Sequence, residues 1–185
     1  MTAFDDLLAL MPPAGGARFD WGSVERELGF ALPGDYKQLI DAYGRGLFRD
    51  DVGVWAPVPP ERGIVVMGSH LRDEFGQILD TMTGDEEWRL PDGSIQPVTI
   101  ERGDPPPVFG WGGASGGQYG YWHTSDPDPD KWPVVFTDLR GEWDYHPGGL
   151  VAYLYALLSG EWQSTVIDLP DQQPPSFTPI PHDGT

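Results

Sequence analysis

The chain has no cysteine at any of its 185 positions. That removes disulfides, thiolate nucleophiles and zinc–thiolate centres, and it suits a reducing compartment. Basic side chains are scarce as well. Eleven Lys and Arg stand against 29 Asp and Glu, for a formal charge of −18, and lysine occurs only at Lys37 and Lys131. This deficit argues against duplex nucleic acid as a partner, because such affinity comes largely from cations that neutralise phosphates. An anionic membrane surface is disfavoured in the same way. A strongly negative field instead speeds encounter with a basic protein, or simply keeps the chain soluble. Asparagine is missing too, a bias that fits a GC-rich bacterial genome. No apolar run is long enough to span a bilayer, and the opening MTAFDDLLALMPP is acidic where a secretory signal is basic, so a cytoplasmic location is expected.

Hydrophobic residues make up 39% of the chain, with 8 Trp, 25 Gly and 20 Pro. The length fits one domain that buries roughly 70% of its unfolded surface. Residues 1–165 are expected to form that domain and the Pro-rich residues 166–185 an extended tail. Thr2 and Asp5 have capping-box spacing for a short helix through Leu7, Leu8 and Leu10, stopped by Pro12 and Pro13. Asp20 can cap a second helix through Val24 and Leu28, with Gly29 as its stop. Leu32-Pro33-Gly34 starts a third. In it Tyr36, Leu39, Ile40 and Tyr43 share an apolar face, Asp35, Lys37, Gln38 and Asp41 occupy the solvated one, and Gly44 ends the element in the left-handed conformation.

Residues 47–48 and 52–55 read as edge-type strands, 57–63 as loop and 64–67 as another short apolar run. Ser69 can then cap a helix carrying Phe75, Ile78, Leu79 and Met82, ending at Gly84. Short β-like runs follow at 88–90, 95–100, 108–111, 119–123, 134–137 and 143–146. Turn residues at Asp92-Gly93 and over 112–117 make them an antiparallel meander. Residues 150–159, with Leu150, Leu154, Leu157 and Leu158 at helical spacing and Gly160 as a stop, form a closing helix.

Trp21-(x)3-Glu25-(x)2-Leu28-Gly29, then Leu32-Pro33-(x)2-Tyr36 and Tyr43-Gly44-(x)-Gly46, resembles the start of the SUKH superfamily, the Smi/Knr-like proteins. Phe109-Gly-Trp-Gly, Tyr121-Trp122, Asp126-Pro-Asp-Pro, Trp132-Pro-Val-Val and a Leu-rich helix ending Gly160-Glu-Trp162 look like its later blocks, so the likeness covers about residues 19–162. The resemblance implies an α+β fold, with a central, mostly antiparallel sheet flanked by N-terminal and C-terminal helices. That agrees with the element order read above. It also implies a non-enzymatic role. Many bacterial members look like immunity proteins that bind and neutralise a cognate toxin of a polymorphic toxin system, and fungal relatives look like regulators.

Candidate sites are few. Gly113-Ala-Ser115-Gly-Gly117 matches a serine nucleophile elbow, and His123 and Asp138 could complete a triad, but a hydrolase elbow needs a helix after the serine and a strand follows here. Asp126, Asp128 and Asp130 have the alternating spacing that opens a calcium loop. Prolines intervene, however, and Lys131 and Thr137 stand where glycine and a bidentate glutamate are required. No cofactor, metal or catalytic group is therefore expected. The expected partner is a protein, and the acidic charge favours a basic toxin domain. Its contacts are expected at Asp50, Asp51, Asp126, Asp128 and Asp130, with Trp111, Tyr119 and Trp122 near the glycine turn as anchors or, alternatively, as core.

Overall fold

The computed structural model describes residues 2–13, 15–58, 63–82, 84–169 and 174–181. Helices α1 (Ala3–Leu10), α2 (Trp21–Leu28) and α3 (Gly34–Tyr43) come first. Thr2 and Asp5 exchange both bonds of a capping box, Asp20 accepts from the Ser23 N–H, and Gly29 ends α2 in the left-handed region at φ 81°. Gly44 ends α3 at φ 72° with ψ −155°, so it sends the chain onward extended instead of adopting the left-handed helical conformation expected of it.

The solvated face expected on α3 is also corrected. Asp41 accepts from the Trp21 indole N–H at 3.1 Å, and Lys37 pairs with Glu25 at 2.8 Å. Asp35 accepts from the Val151 N–H at 3.0 Å. Of these four polar residues only Gln38 is exposed. The others staple α3 to neighbouring elements, a role that periodicity alone cannot distinguish from solvation.

Strands β1 (Gly46–Phe48) and β2 (Val52–Val54) precede helix α4 (Ile64–Thr81). Then come β3 (Glu87–Arg89), β4 (Ile95–Pro97), β5 (Val108–Ala114), β6 (Tyr119–His123), a 3-10 turn (Pro129–Lys131), β7 (Val134–Thr137), β8 (Glu142–His146), helix α5 (Gly149–Ser159) and β9 (Phe177–Pro179). Helix α4 starts at Ile64, ahead of Ser69. The apolar run 64–67 is its first turn, because Ile64, Gly68, Leu71, Phe75 and Leu79 recur on one buried face. Residues 59–62 of the expected loop lie outside the described residues.

The sheet order is β4-β3-β8-β7-β6-β5-β2-β1-β9. Strands β5 to β8 form the meander, and the pairings are antiparallel apart from β3 with β8. The fold is therefore α+β, a central, mostly antiparallel sheet flanked by N-terminal and C-terminal helices. One face packs on α1, α3 and α5 through Phe48, Val52, Trp111, Trp122 and Phe136. The other packs on α4 through Val108, Tyr121, Val135 and Trp143. Strands β1 and β2 are interior, because β9 covers one and β5 the other. The Phe177 ring of β9 lies where a Cβ on Gly46 would be, 2.3 Å away. Val166, Ile167 and Leu169 belong to the core, so packed structure continues past residue 165, while residues 170–173 and 182–185 of the expected tail lie outside the described residues.

Both outer edges carry a proline at an outward position. Val98 N–H donates to Glu86 and Leu90 N–H to Ser94, so on β4 the backbone of Gln96 faces β3 while Ile95 and Pro97 face out. Arg49 N–H donates to Ser176 and Ile180 N–H to Arg45, so on β9 Phe177 and Pro179 face out. Each proline removes an N–H from an edge that could otherwise recruit another strand. Among the described residues no helix is long and apolar enough to cross a membrane.

Candidate partner interface

The β5–β6 hairpin separates the expected site residues into two groups. At its open end Val108 faces His123, and Thr124 N–H donates to the Pro107 carbonyl at 2.8 Å. The acidic loop leaves from here. Asp126 accepts from the Asp128 N–H at 2.8 Å, Asp128 from the Asp130 N–H at 3.2 Å, and Asp130 from the Gly34 N–H at 2.6 Å. Alternating prolines fix φ while each aspartate holds a nearby amide, so the loop is ordered by its own sequence and tied to the start of α3. A carboxylate has about four acceptor positions, and one backbone bond leaves the rest available to water or a partner. Lys131 lies 3.5 Å from Asp128.

Beside the loop is a groove of about 360 Å³ whose lining includes Phe30, Arg72, Pro106, Phe109, Asp126 and Trp132. The Phe30 ring lies 5.0 Å from Phe109 and 6.0 Å from Trp132. The Trp132 indole N–H donates to the Asp126 carbonyl at 2.6 Å and joins groove to loop. Arg72 is 27% exposed in its side chain, with Nε 3.8 Å from Asp73. Phe30, Arg72 and the proline run 105–107 were not among the expected contacts. A signal for two of the walls was present, since prolines before β5 and the Trp132-Pro133 pair beyond β6 flank strands that pair with each other.

The closed end holds a different set. Asp51 accepts from the Ser115 N–H at 2.9 Å and from its hydroxyl. Asp50, at φ 56°, accepts from the Thr178 hydroxyl at 2.5 Å. These two aspartates pin a turn and β9, and they do not share a surface with the 126–130 loop. Trp111 and Trp122 cannot serve as contacts, because both are 0% exposed. Trp111 packs on Phe136 and Tyr153, and Trp122 on Tyr36. Gly120 permits this, since a Cβ there would lie 2.2 Å from the Trp111 ring. Tyr119 is half-buried against the second core. Ser115, His123 and Asp138 do not assemble either. Ser115 and His123 lie toward opposite ends of the hairpin, and Asp138 accepts from the Arg140 and Glu142 N–H groups. Among the described residues no group of three or more His, Asp or Glu side chains is placed to hold a metal.

The motif residues near the N-terminus build structure. Glu25 accepts from the Leu32 N–H at 2.9 Å, the Tyr36 hydroxyl donates to the Trp55 carbonyl at 2.6 Å, and the Tyr43 hydroxyl donates to the Met11 carbonyl. Leu32 and Pro33 are buried, and Trp21 and Leu28 pack against the main core.

A second polar cluster sits inside the α5 side of the sheet. Asp144 on β8 is fully buried, accepts from the Ser164 hydroxyl, and is pushed up to about 7 by burial. His146, two positions on, is pushed down to about 4 by burial and stacks on Trp162 at 5.6 Å. Both are closed off from solvent, whereas the acidic loop and its groove at the open end are accessible. No protein-family model, curated protein or solved structure matches the chain.

Proposed function

We propose that the chain is a cytoplasmic, non-enzymatic protein-binding domain of the SUKH type, an immunity protein that neutralises a cognate bacterial toxin by direct association. The observation that carries this reading is the ordered Asp126–Asp128–Asp130 loop beside an apolar groove on a chain of charge −18. An acidic loop beside an apolar groove suits a basic protein, with the charge guiding encounter and the apolar floor supplying contact. The SUKH part of the reading rests on the sequence resemblance of Trp21, Glu25, Leu32, Tyr36 and Tyr43, residues that here build the helical layer.

Co-expression with the product of the adjacent gene tests the proposal. The expected result is rescued growth and a stable one-to-one complex. A toxic neighbour whose activity is untouched by this chain, or a chain that associates only with housekeeping proteins, would overturn the toxin reading in favour of a regulatory domain.

A further inference from the structure

We propose that the groove at the open end takes an extended basic segment of the partner, seating one large apolar side chain against Phe30 and Pro105 with cationic side chains on both flanks. This rests on the reading of the domain as a binder of a basic protein, and it specifies how that partner is held.

Pro105 is exposed and forms a ridge with a depression on each side. One is the groove whose accessible aromatic wall is half-buried Phe30, backed by buried Phe109 and Trp132; the other, about 350 Å³, is lined by Leu79, Asp73, Asp80, Arg102 and Asp104. Asp126 stands at the first depression and Asp73 and Asp104 at the second, so carboxylates lie on both sides of the ridge. The nearby cations are mostly answered within the chain: Arg102 pairs with Asp80 at 3.1 Å, and Lys131 lies 3.5 Å from Asp128. Prolines offer no N–H, so the ridge cannot bind by strand pairing. It can bind by van der Waals contact with an extended chain, as aromatic and proline surfaces do. Arg72 lies at the same groove with its Nε shielded and without a hydrogen bond, and the exposed part of its guanidinium can meet a main-chain carbonyl of the segment. The occupant is thus set by two requirements together, an apolar anchor and flanking positive charge.

Fluorescein-labelled heptapeptides provide the probe: Gly-Lys-Lys-Phe-Lys-Lys-Gly, the same peptide with Gly for Phe, and the same with Glu for Lys, each titrated into the full chain by anisotropy. The Phe peptide is expected to bind at least about tenfold tighter than the Gly peptide, the scale of burying one large apolar side chain, and the Glu peptide not at all. Neutralising the groove with Asp73→Asn, Asp104→Asn and Asp126→Asn should weaken the Phe peptide at least about fivefold. Removing equal charge elsewhere with Asp50→Asn, Glu161→Gln and Asp168→Asn, none of which lines either depression, should change it less than twofold. Equal affinity for the Phe and Gly peptides, or equal loss in the two triple variants, would overturn the proposal. If the peptides fail while loss of the 126–130 carboxylates still breaks the complex with the adjacent gene product, the groove falls and the binding function stands. If the peptides bind as expected while no such complex forms, the groove stands and the toxin reading falls.

Discussion

Asp144 and His146 lie on one face of β8, and burial neutralises both, by opposite routes. The carboxyl is held protonated up to about 7 and the imidazole unprotonated down to about 4. A raised carboxyl contributes stability below its unfolded value and loses it as pH rises through the folded one, so Asp144 favours the fold at acid pH and opposes it above about 7. A lowered imidazole contributes stability above its ordinary 6.5 and loses it as pH falls toward about 4. Between these values the two slopes oppose each other. Asp144→Asn is therefore expected to be more stable than wild type at pH 8, by about 1–2 kcal/mol after the loss of a good hydrogen-bond acceptor. As pH falls below 6.5 it should lose stability more steeply, with His146 unopposed. Urea denaturation across this range checks both, and a parallel pH profile for the two proteins would refute the assignment. None of this is legible in the sequence, since alternation leaves open whether His146 is a surface or a core residue until Trp162 and Ser164 are seen to cover that face.

At the scale of elements, helix ends were the most readable feature and long-range partners the least. Thr2, Asp20, Gly29 and Gly160 cap or stop helices as their local chemistry dictates. The start of α5 is different: Gly148 has no side chain to cap it, and Asp35 of α3 reaches across to the Val151 N–H instead. Burial still raises the Asp35 carboxyl, against hydrogen bonds from Val151, Tyr36 and Leu150, so its charge is costly even where its acceptor is useful. Asp35→Ala should lose about 1–2 kcal/mol at neutral pH, whereas Asp35→Asn, which keeps an acceptor without the charge, should stay within about 0.5 kcal/mol of wild type. Equal loss in both would show that charge is what matters. The edge prolines act at this scale too. Replacing both Pro97 and Pro179 with Val restores an outward N–H on β4 and β9, and light scattering should register self-association that the parent chain does not show at the same concentration. A monomeric double variant would mean that other features protect these edges. Strand β9 itself could not be foreseen, because its pairing with β1 joins residues far apart in sequence inside a Pro-rich stretch.

Over the whole molecule, the charge of −18 could be read from the sequence but not its arrangement. Five aspartates expected to face one partner divide between opposite ends of the β5–β6 hairpin, because its seven-residue and five-residue strands separate positions that are close in composition and far apart in space. Of the expected aromatic anchors Trp111 and Trp122 are core, and the apolar surface beside the loop comes from half-buried Phe30 and from Pro105 and Pro107, which no motif in the sequence marks as contacts. Of those five aspartates, the three of the 126–130 loop are brought beside that surface, and the loop's tie to Gly34 joins it to the helical layer that carries the family-like motif. The central claim is that this loop, and not acidity in general, recognises a basic protein. Calorimetric titration against the adjacent gene product at low and high salt tests it most directly. Wild type should bind with affinity that falls steeply as salt rises, Asp126→Asn/Asp128→Asn/Asp130→Asn should bind at least about tenfold more weakly with a shallower salt dependence, and Asp50→Asn/Asp51→Asn should match wild type. A triple variant that keeps both the affinity and the salt dependence of wild type would contradict the account.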